Sequence, residues 1–202
     1  MTAKASPPAN MAFENQVPTA PGFPLFTLER YHQWIEAGMF TEDDRLELMF
    51  GQIVAKMPIG ELHAEAITLL NKFFIQRFGF QYSYRFQSPI SLLNHSEPEP
   101  DFLIALDKSY NKSYGHPQSD DVVLLVEVAD SSLSYDRGDK ARLYALAGIK
   151  EYWIVNLDDE QLEIYTKPDV KAGNYRSIEI YKAEDRVSTE LLDDFNLSEL
   201  LP

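Results

Sequence analysis

Two acids and one amine in the second half of the chain have the types and spacing for metal-assisted chemistry. Asp101 opens the apolar run Phe102 to Leu106, and Glu127 follows the uninterrupted run Val122 to Val126. If the two runs pair as antiparallel strands with Leu106 opposite Val122, Asp101 falls directly across from Glu127. Opposed residues in such a ladder have Cα atoms roughly 4.5–5.5 Å apart, so both carboxylates reach one divalent cation. A slip of one residue sends the two acids to opposite faces, so the pair depends on register. Whatever the register, a carboxylate at the end of so apolar a strand is expected to be buried and partnered.

Lys140 is the third member. Lys140, Leu143, Tyr144 and Ala147 stand at i, i+3, i+4 and i+7, which places the lysine on the helix stripe that faces a sheet. These are the parts for phosphodiester hydrolysis: carboxylates hold Mg²⁺, the cation polarises the phosphate and acidifies a water, and the amine positions that water or steadies developing charge. Plainer readings stand beside this one. Asp101 can be an exposed strand-start residue, and Asp136, Arg137 and Asp139 can form a solvated helix start with Asp136 as its cap. Glu47 alternates with Leu46 and Leu48 in a strand-like segment and faces either the site or water. His63, near a helix start, is a general base or phosphate contact on one reading and a structural histidine on the other. Glu97 and Glu99 lie near Asp101 but read as a solvated turn.

The elements that must position these groups follow from periodicity. Thr27 caps a helix with Leu28, Tyr31 and Ile35 on one face, stopped by Gly38. Arg45–Met49 and Gln52–Met57 form two strands around Phe50-Gly51. A second helix runs from Glu61 to Phe78 on the stripe Ala66, Leu69, Leu70, Phe73, Phe74 and Phe78. Strand-like runs follow at Phe80–Gln87, Pro89–Leu93, Asp101–Leu106 and Val122–Val128, then a helix over Arg137–Ala147. The final strands are Tyr152–Val155, Leu162–Thr166 and Tyr175–Tyr181. Tyr152 and Trp153 read as core. The order implies an α/β (α+β) fold, a mixed sheet with helices against it. Residues 1–22 read as a flexible tail and 23–202 as one domain.

Composition removes other classes. At 45% hydrophobic and 25% charged residues the chain is neither disordered nor fibrous. The absence of cysteine excludes disulfides, thiolate metal sites and cysteine nucleophiles. No glycine-rich phosphate loop is present, and Ser131, Ser132 and Ser134 lack a nucleophile-elbow context. A glycosidase using Asp101 and Glu127 would leave Lys140 without a part. No apolar run is long enough to cross a bilayer, and the Pro- and Ala-rich start does not read as a secretory signal, so the expected compartment is the cytoplasm. The net charge of −14 counts against broad adhesion to nucleic acid.

Pro100-Asp101, Glu127-Val128, Tyr135 to Lys140, Tyr144-Ala145, Ala147-Gly148 and Glu151 to Val155, with Arg45 to Leu48, Gly51 to Val54, Met57-Pro58 and His63 upstream, together resemble the Uma2 family of restriction-type endonucleases, within the PD-(D/E)xK nuclease superfamily. The resemblance spans roughly residues 25–182 and implies a restriction-endonuclease-like central sheet with Asp101 and Glu127 as metal ligands. It implies Mg²⁺ or Mn²⁺ as cofactor, nucleic acid as partner with DNA favoured, and allows a homodimer. It aligns Glu47 with a recurrent acid, a third carboxylate. The superfamily's lysine stands two residues after the second acid; here that position is Ala129, and Lys140 is the migrated amine. Asp130-Ser131-Ser132 replaces the usual Ser-Pro-Ser. The implied function is an endonuclease in which Asp101 and Glu127 bind metal, Lys140 orients or activates water, and Glu47 and His63 assist. The alternative is a catalytically silent nuclease-fold binding or regulatory module.

Overall fold

A computed structural model describes residues 25–202 apart from 112 and 114; the tail expected over residues 1–22 lies outside the described residues. The first helix, α1 (Leu28–Glu36), is capped as expected: the Thr27 hydroxyl accepts the Arg30 N–H at 3.2 Å. The hairpin β1 (Leu46–Met49) and β2 (Gln52–Ala55) turns through Phe50 and Gly51 at φ 51° and 75°. Positive φ at both central residues matches the right-handed twist of the flanking strands. Glycine is required there twice over, because an added Cβ at residue 51 would stand 2.8 Å from Leu25 Cβ. The second helix, α2 (Glu61–Phe78), has the bounds its apolar stripe predicts and buries Ala66, Leu70, Phe73 and Phe74.

Six strands form the central sheet in spatial order β3 (Tyr82–Phe86), β4 (Phe102–Leu106), β5 (Val122–Ala129), β6 (Glu151–Asn156), β7 (Gln161–Asp169) and β8 (Asn174–Lys182). Only β5 and β6 are parallel; the other neighbours are antiparallel, so the sheet is mixed. Parallel neighbours need a crossover. It consists of α3 (Leu133–Tyr135), a π-helical turn (Asp136–Lys140) and α4 (Ala141–Leu146), continuous with one another. A short pair, β9 (Arg186–Val187) and β10 (Phe195–Asn196), follows near the C-terminus.

The two sheet faces bury different partners. Leu103, Leu125 and Ile154 pack with Leu143 and Tyr144 of α4 and with Met49 and Phe50 of the hairpin. Phe102, Leu124, Val126 and Trp153 pack on the other face with Leu70 and Phe74 of α2 and with Phe195, Leu197 and Leu200. Strand β6 is buried along its whole length and β5 from Leu124 onward, which explains why both read as continuous apolar runs. Among the described residues no helix is long and apolar enough to cross a membrane.

Three expectations change. The register Phe102↔Val126, Leu103↔Leu125 and Ile104↔Leu124 is the one that sets Asp101 across from Glu127. A bulge between Ile104 and Ala105 then puts Ala105, not Leu106, opposite Val122. The anchor of the pairing was therefore misplaced by one residue while the functional end was right. Pro89–Leu93 joins no strand of the sheets: Ile90 and Leu92 are buried and their backbone N–H groups donate to Pro98 and Ser96 of one adjacent segment, while the Ser91 N–H donates to Pro117, so only isolated bridges form. The helix expected from Arg137 begins at Leu133.

Replacing Gly51 by alanine would force a positive φ on an L side chain and crowd Leu25. Gly51→Ala is expected to destabilise the fold by about 1–3 kcal/mol, read as a lowered midpoint with unchanged slope in urea unfolding.

Candidate active site

Glu47, His63, Asp101 and Lys140 line one cleft of about 300 Å³ at the end of β5, and Glu127 lies directly beneath it with no exposure. Each comes from a different element. Asp101, just before β4, accepts the Val128 N–H at 2.9 Å through Oδ2, and the same oxygen is 3.0 Å from His63 Nε2 in the first turn of α2. The Asp101 backbone N–H points at Glu127 Oε2 at 3.4 Å, so the two acids are in contact across the ladder. Lys140 Nζ lies 2.9 Å from Glu127 Oε2 and 3.6 Å from Asp136 Oδ1. Glu47, carried in by the hairpin, accepts the Tyr135 O–H at 3.3 Å and the Glu99 N–H at 3.2 Å.

The sequence reading missed four members. Asp136 is no solvated cap: it is buried inside the crossover, accepts the Ser132 hydroxyl, and shares Lys140 with Glu127. Tyr144 donates its O–H to Glu127 Oε1 at 2.6 Å. Ser132, Asp136, Lys140 and Tyr144 recur at four-residue spacing, a polar column that was readable in the sequence as one helix face. Tyr135, which holds Glu47, had no such signal. Glu97 is also not in a solvated turn. It is buried away from the cluster, with His32 Nε2 at 2.7 Å and Ser91 Oγ at 2.9 Å. Glu99 pairs with Lys56 at 2.8 Å.

The electrostatics are those of an acid surplus. Burial works against the Lys140 ammonium, yet the nearby Glu127, Glu47, Asp136 and Asp101 outweigh it and hold its pKa well above the usual lysine value. Burial pushes Glu127 well above the ordinary carboxylate range; Lys140 opposes the shift, and Asp101 and Asp136 add to it. Asp136 is raised for the same first reason, burial, with Lys140 and the Ser132 hydroxyl opposing. Burial also pushes Asp101 up, but the His63 hydrogen bond, the Lys140 and His63 charges and the Val128 N–H prevail, leaving it below the usual value.

Among the described residues no three Asp, Glu or His side chains form a ready-made metal cage. Mg²⁺ does not require one, because it binds through one or two carboxylates and keeps several waters. The donor set fits that habit. Asp101 and Glu127 supply hard oxygens, Asp101 Oδ1 has only a long 3.4 Å contact from Gln87, and the acids around Lys140 outnumber it.

A mixed six-stranded sheet with helices packed on both faces defines the class as an α+β fold shared with a solved protein of low sequence identity. A crystal structure described as "a putative nuclease belonging to DUF820" from Anabaena variabilis ATCC 29413 is similar to this chain at a TM-score of 0.60 and 12% identity, covering 87% of this chain and 97% of that one. No match was found among curated proteins. The Uma2 family profile, described as "Putative restriction endonuclease", matches residues 28–199, and the chain belongs to that family.

Two substitutions separate the roles of the charges in metal-free protein. Glu127→Gln keeps an acceptor for Tyr144 and leaves Lys140 three acids, so it removes a repelled charge without stranding the amine. With a folded pKa above the unfolded one, Glu127 costs nothing below about pH 4.3, and its penalty grows as pH rises toward the folded value. Glu127→Gln is therefore expected to melt above the parent at pH 7 with chelator, by about 2–4 °C for each kcal/mol recovered, the gap closing toward pH 4. Lys140→Met removes the amine and is expected to cost about 3–5 kcal/mol in the same buffer.

Proposed function

We propose that the protein is a Mg²⁺- or Mn²⁺-dependent endonuclease that hydrolyses phosphodiester bonds, with DNA as the favoured substrate. The observation that carries this reading is the convergence of Asp101, Glu127 and Lys140 at one cleft, with His63 and Glu47 beside them. Family membership supports it.

In this reading Asp101 and Glu127 hold the cation, which would neutralise phosphate charge and lower the pKa of a water. Asp101 is kept ionised and aimed by His63 and by the Val128 N–H. Lys140, with its pKa raised, is a donor and not a proton acceptor: it orients water or a phosphate oxygen and stabilises charge that develops there. His63 Nδ1 is buried without a hydrogen-bond partner, so the ring's free nitrogen is available for proton transfer once substrate reorganises the cleft. Glu47, held by Tyr135, adds negative charge on the cleft's second wall and favours the cation's retention.

Purified protein incubated with DNA and with RNA in Mg²⁺ or Mn²⁺ is expected to cleave, and Asp101→Ala and Glu127→Ala to abolish cleavage. Persistence of cleavage in both variants would remove the assigned site; no cleavage by the parent on any substrate would leave the silent binding module as the better account. The charge of −14 adds an expectation about affinity. Fluorescence anisotropy with labelled DNA should show weak binding in chelator and tighter binding in Ca²⁺, because the whole-molecule field is repulsive until a divalent ion offsets it at the cleft.

A further inference from the structure

Strand β8 closes one side of the sheet, and among the described residues its backbone is met from outside the sheet only at its C-terminal end, where the Asp185 carboxylate accepts the Lys182 N–H and the Asp185 N–H donates to the Lys182 C=O. It is nine residues long and carries Ile178 and Ile180 at 52% and 55% exposure. Both lie on the face that β8 shares with Tyr165 and Glu163 of β7, beside the crossover helices. A long edge with exposed apolar residues and a free row of N–H and C=O groups is a template for another strand.

We propose that β8 pairs antiparallel with β8 of a second copy of this chain, centred on Ile178, so that two six-stranded sheets become one continuous sheet. The strand is complementary to itself in this register. Ile178 is its middle residue, so a two-fold axis through it matches residues 176–180 with their own copies, while Tyr175 and Tyr181, packed on opposite sheet faces, and Lys182, held by Asp185, lie outside the ladder. Ile178 then faces its own copy, Arg176 faces Ile180 and Ser177 faces Glu179. No like charges stand directly opposite; Glu179 lies diagonal to its own copy, one repulsive contact that the isoleucine patch must outweigh. Ile180 lies diagonal to Ile178 of the other copy, within reach across a ladder, so the four isoleucines join into one patch. Arg176 brings no unpaired charge, because its guanidinium is held 2.7 Å from Asp169 of its own chain while its stem covers Ile180.

Neighbouring registers are worse. Moving the axis one residue toward the C-terminus sets Glu179 against Glu179 and Arg176 against Lys182, both repulsive. Moving it one residue the other way seats Arg176 opposite Ile178, separates the Ile178 pair and leaves strand ends unpaired. Strands β6 and β7 stand between β8 and the acid pair, so the pairing leaves the cleft open and does not depend on what the cleft does.

The chain contains no cysteine, which makes the register directly testable. Sedimentation of the full chain over a concentration series should show a monomer–dimer equilibrium, and Ile178→Lys, an exposed substitution that leaves the melting temperature unchanged, should yield monomer. Under mild oxidation Ile178→Cys should cross-link to its own copy, because opposed Cα atoms roughly 4.5–5.5 Å apart are within disulfide range. Ile180→Cys should not, its copy lying four positions along the ladder. A strictly monomeric parent, a dimer that survives Ile178→Lys, or cross-linking through residue 180 in place of 178 would each overturn the proposal.

Discussion

The contact between the Lys140 ammonium and the Glu127 carboxylate, sealed beneath the cleft floor, is the constraint around which the rest of the molecule is arranged. An ionised Glu127 is not tolerable there without the ammonium, since an unpaired buried ion costs several kcal/mol, whereas the ammonium also has Asp136, Asp101 and Glu47. The pair is asymmetric: one amine faces Glu127, Asp136, Asp101 and Glu47, so the cation is held firmly while the acids repel one another. Burial first, and that imbalance after it, explains why Glu127 and Asp136 resist ionisation, while at Asp101 the His63 hydrogen bond, the Lys140 charge and the Val128 N–H together outweigh burial. Stability is given up here in exchange for a concentration of negative charge, the environment a divalent cation requires.

Every nearby element serves that contact. Strand β5 needs its apolar residues because both faces are covered from Leu124 onward, and this burial is what desolvates Glu127. The parallel pairing of β5 with β6 demands a crossover, and the crossover's π-helical turn aligns Asp136 and Lys140 over the acid. π-Turns are uncommon and concentrate at functional sites. The hairpin, turned sharply at Gly51, delivers Glu47 and closes the second wall, while the first turn of α2 brings His63 onto Asp101. Tyr135 and Tyr144 hold the two glutamates from the same crossover. The site is therefore assembled from one fork in the sheet and the segments that a mixed sheet forces past it.

Acidity and function are reconciled at the same place. A protein that neutralised phosphates over a wide surface would be basic; this one carries a net −14 and gathers buried acids at a cleft. On the proposed reading such a molecule would engage an anionic polymer through a bound cation and a few positioned donors.

Sequence by itself determined the local elements and most of the side chains that meet at the cleft. Periods of two and 3.6 located the helices and most strands, because each element must present one apolar face or be buried on both. Residue type identified Asp101, Glu127 and Lys140, because acid at the end of an apolar strand and amine on a core-facing stripe are rarely accidental. Tertiary structure decided what those rules cannot reach. The bulge after Ile104 shifted the pairing anchor, yet the acids still met, because register nearest them is set by contacts with Val126 and Leu125 and not by the far end of the strand. Pro89–Leu93 carried a strand's pattern but forms only isolated bridges, two of its N–H groups answering to the Ser96–Pro98 segment and one to Pro117. Asp136 looked like a solvated cap and is buried, and Glu97 looked like a turn residue and is paired with His32. In each case the deciding quantity was which distant backbone or side chain came to lie beside the residue, and a linear pattern records the residue's own preference but not its neighbours.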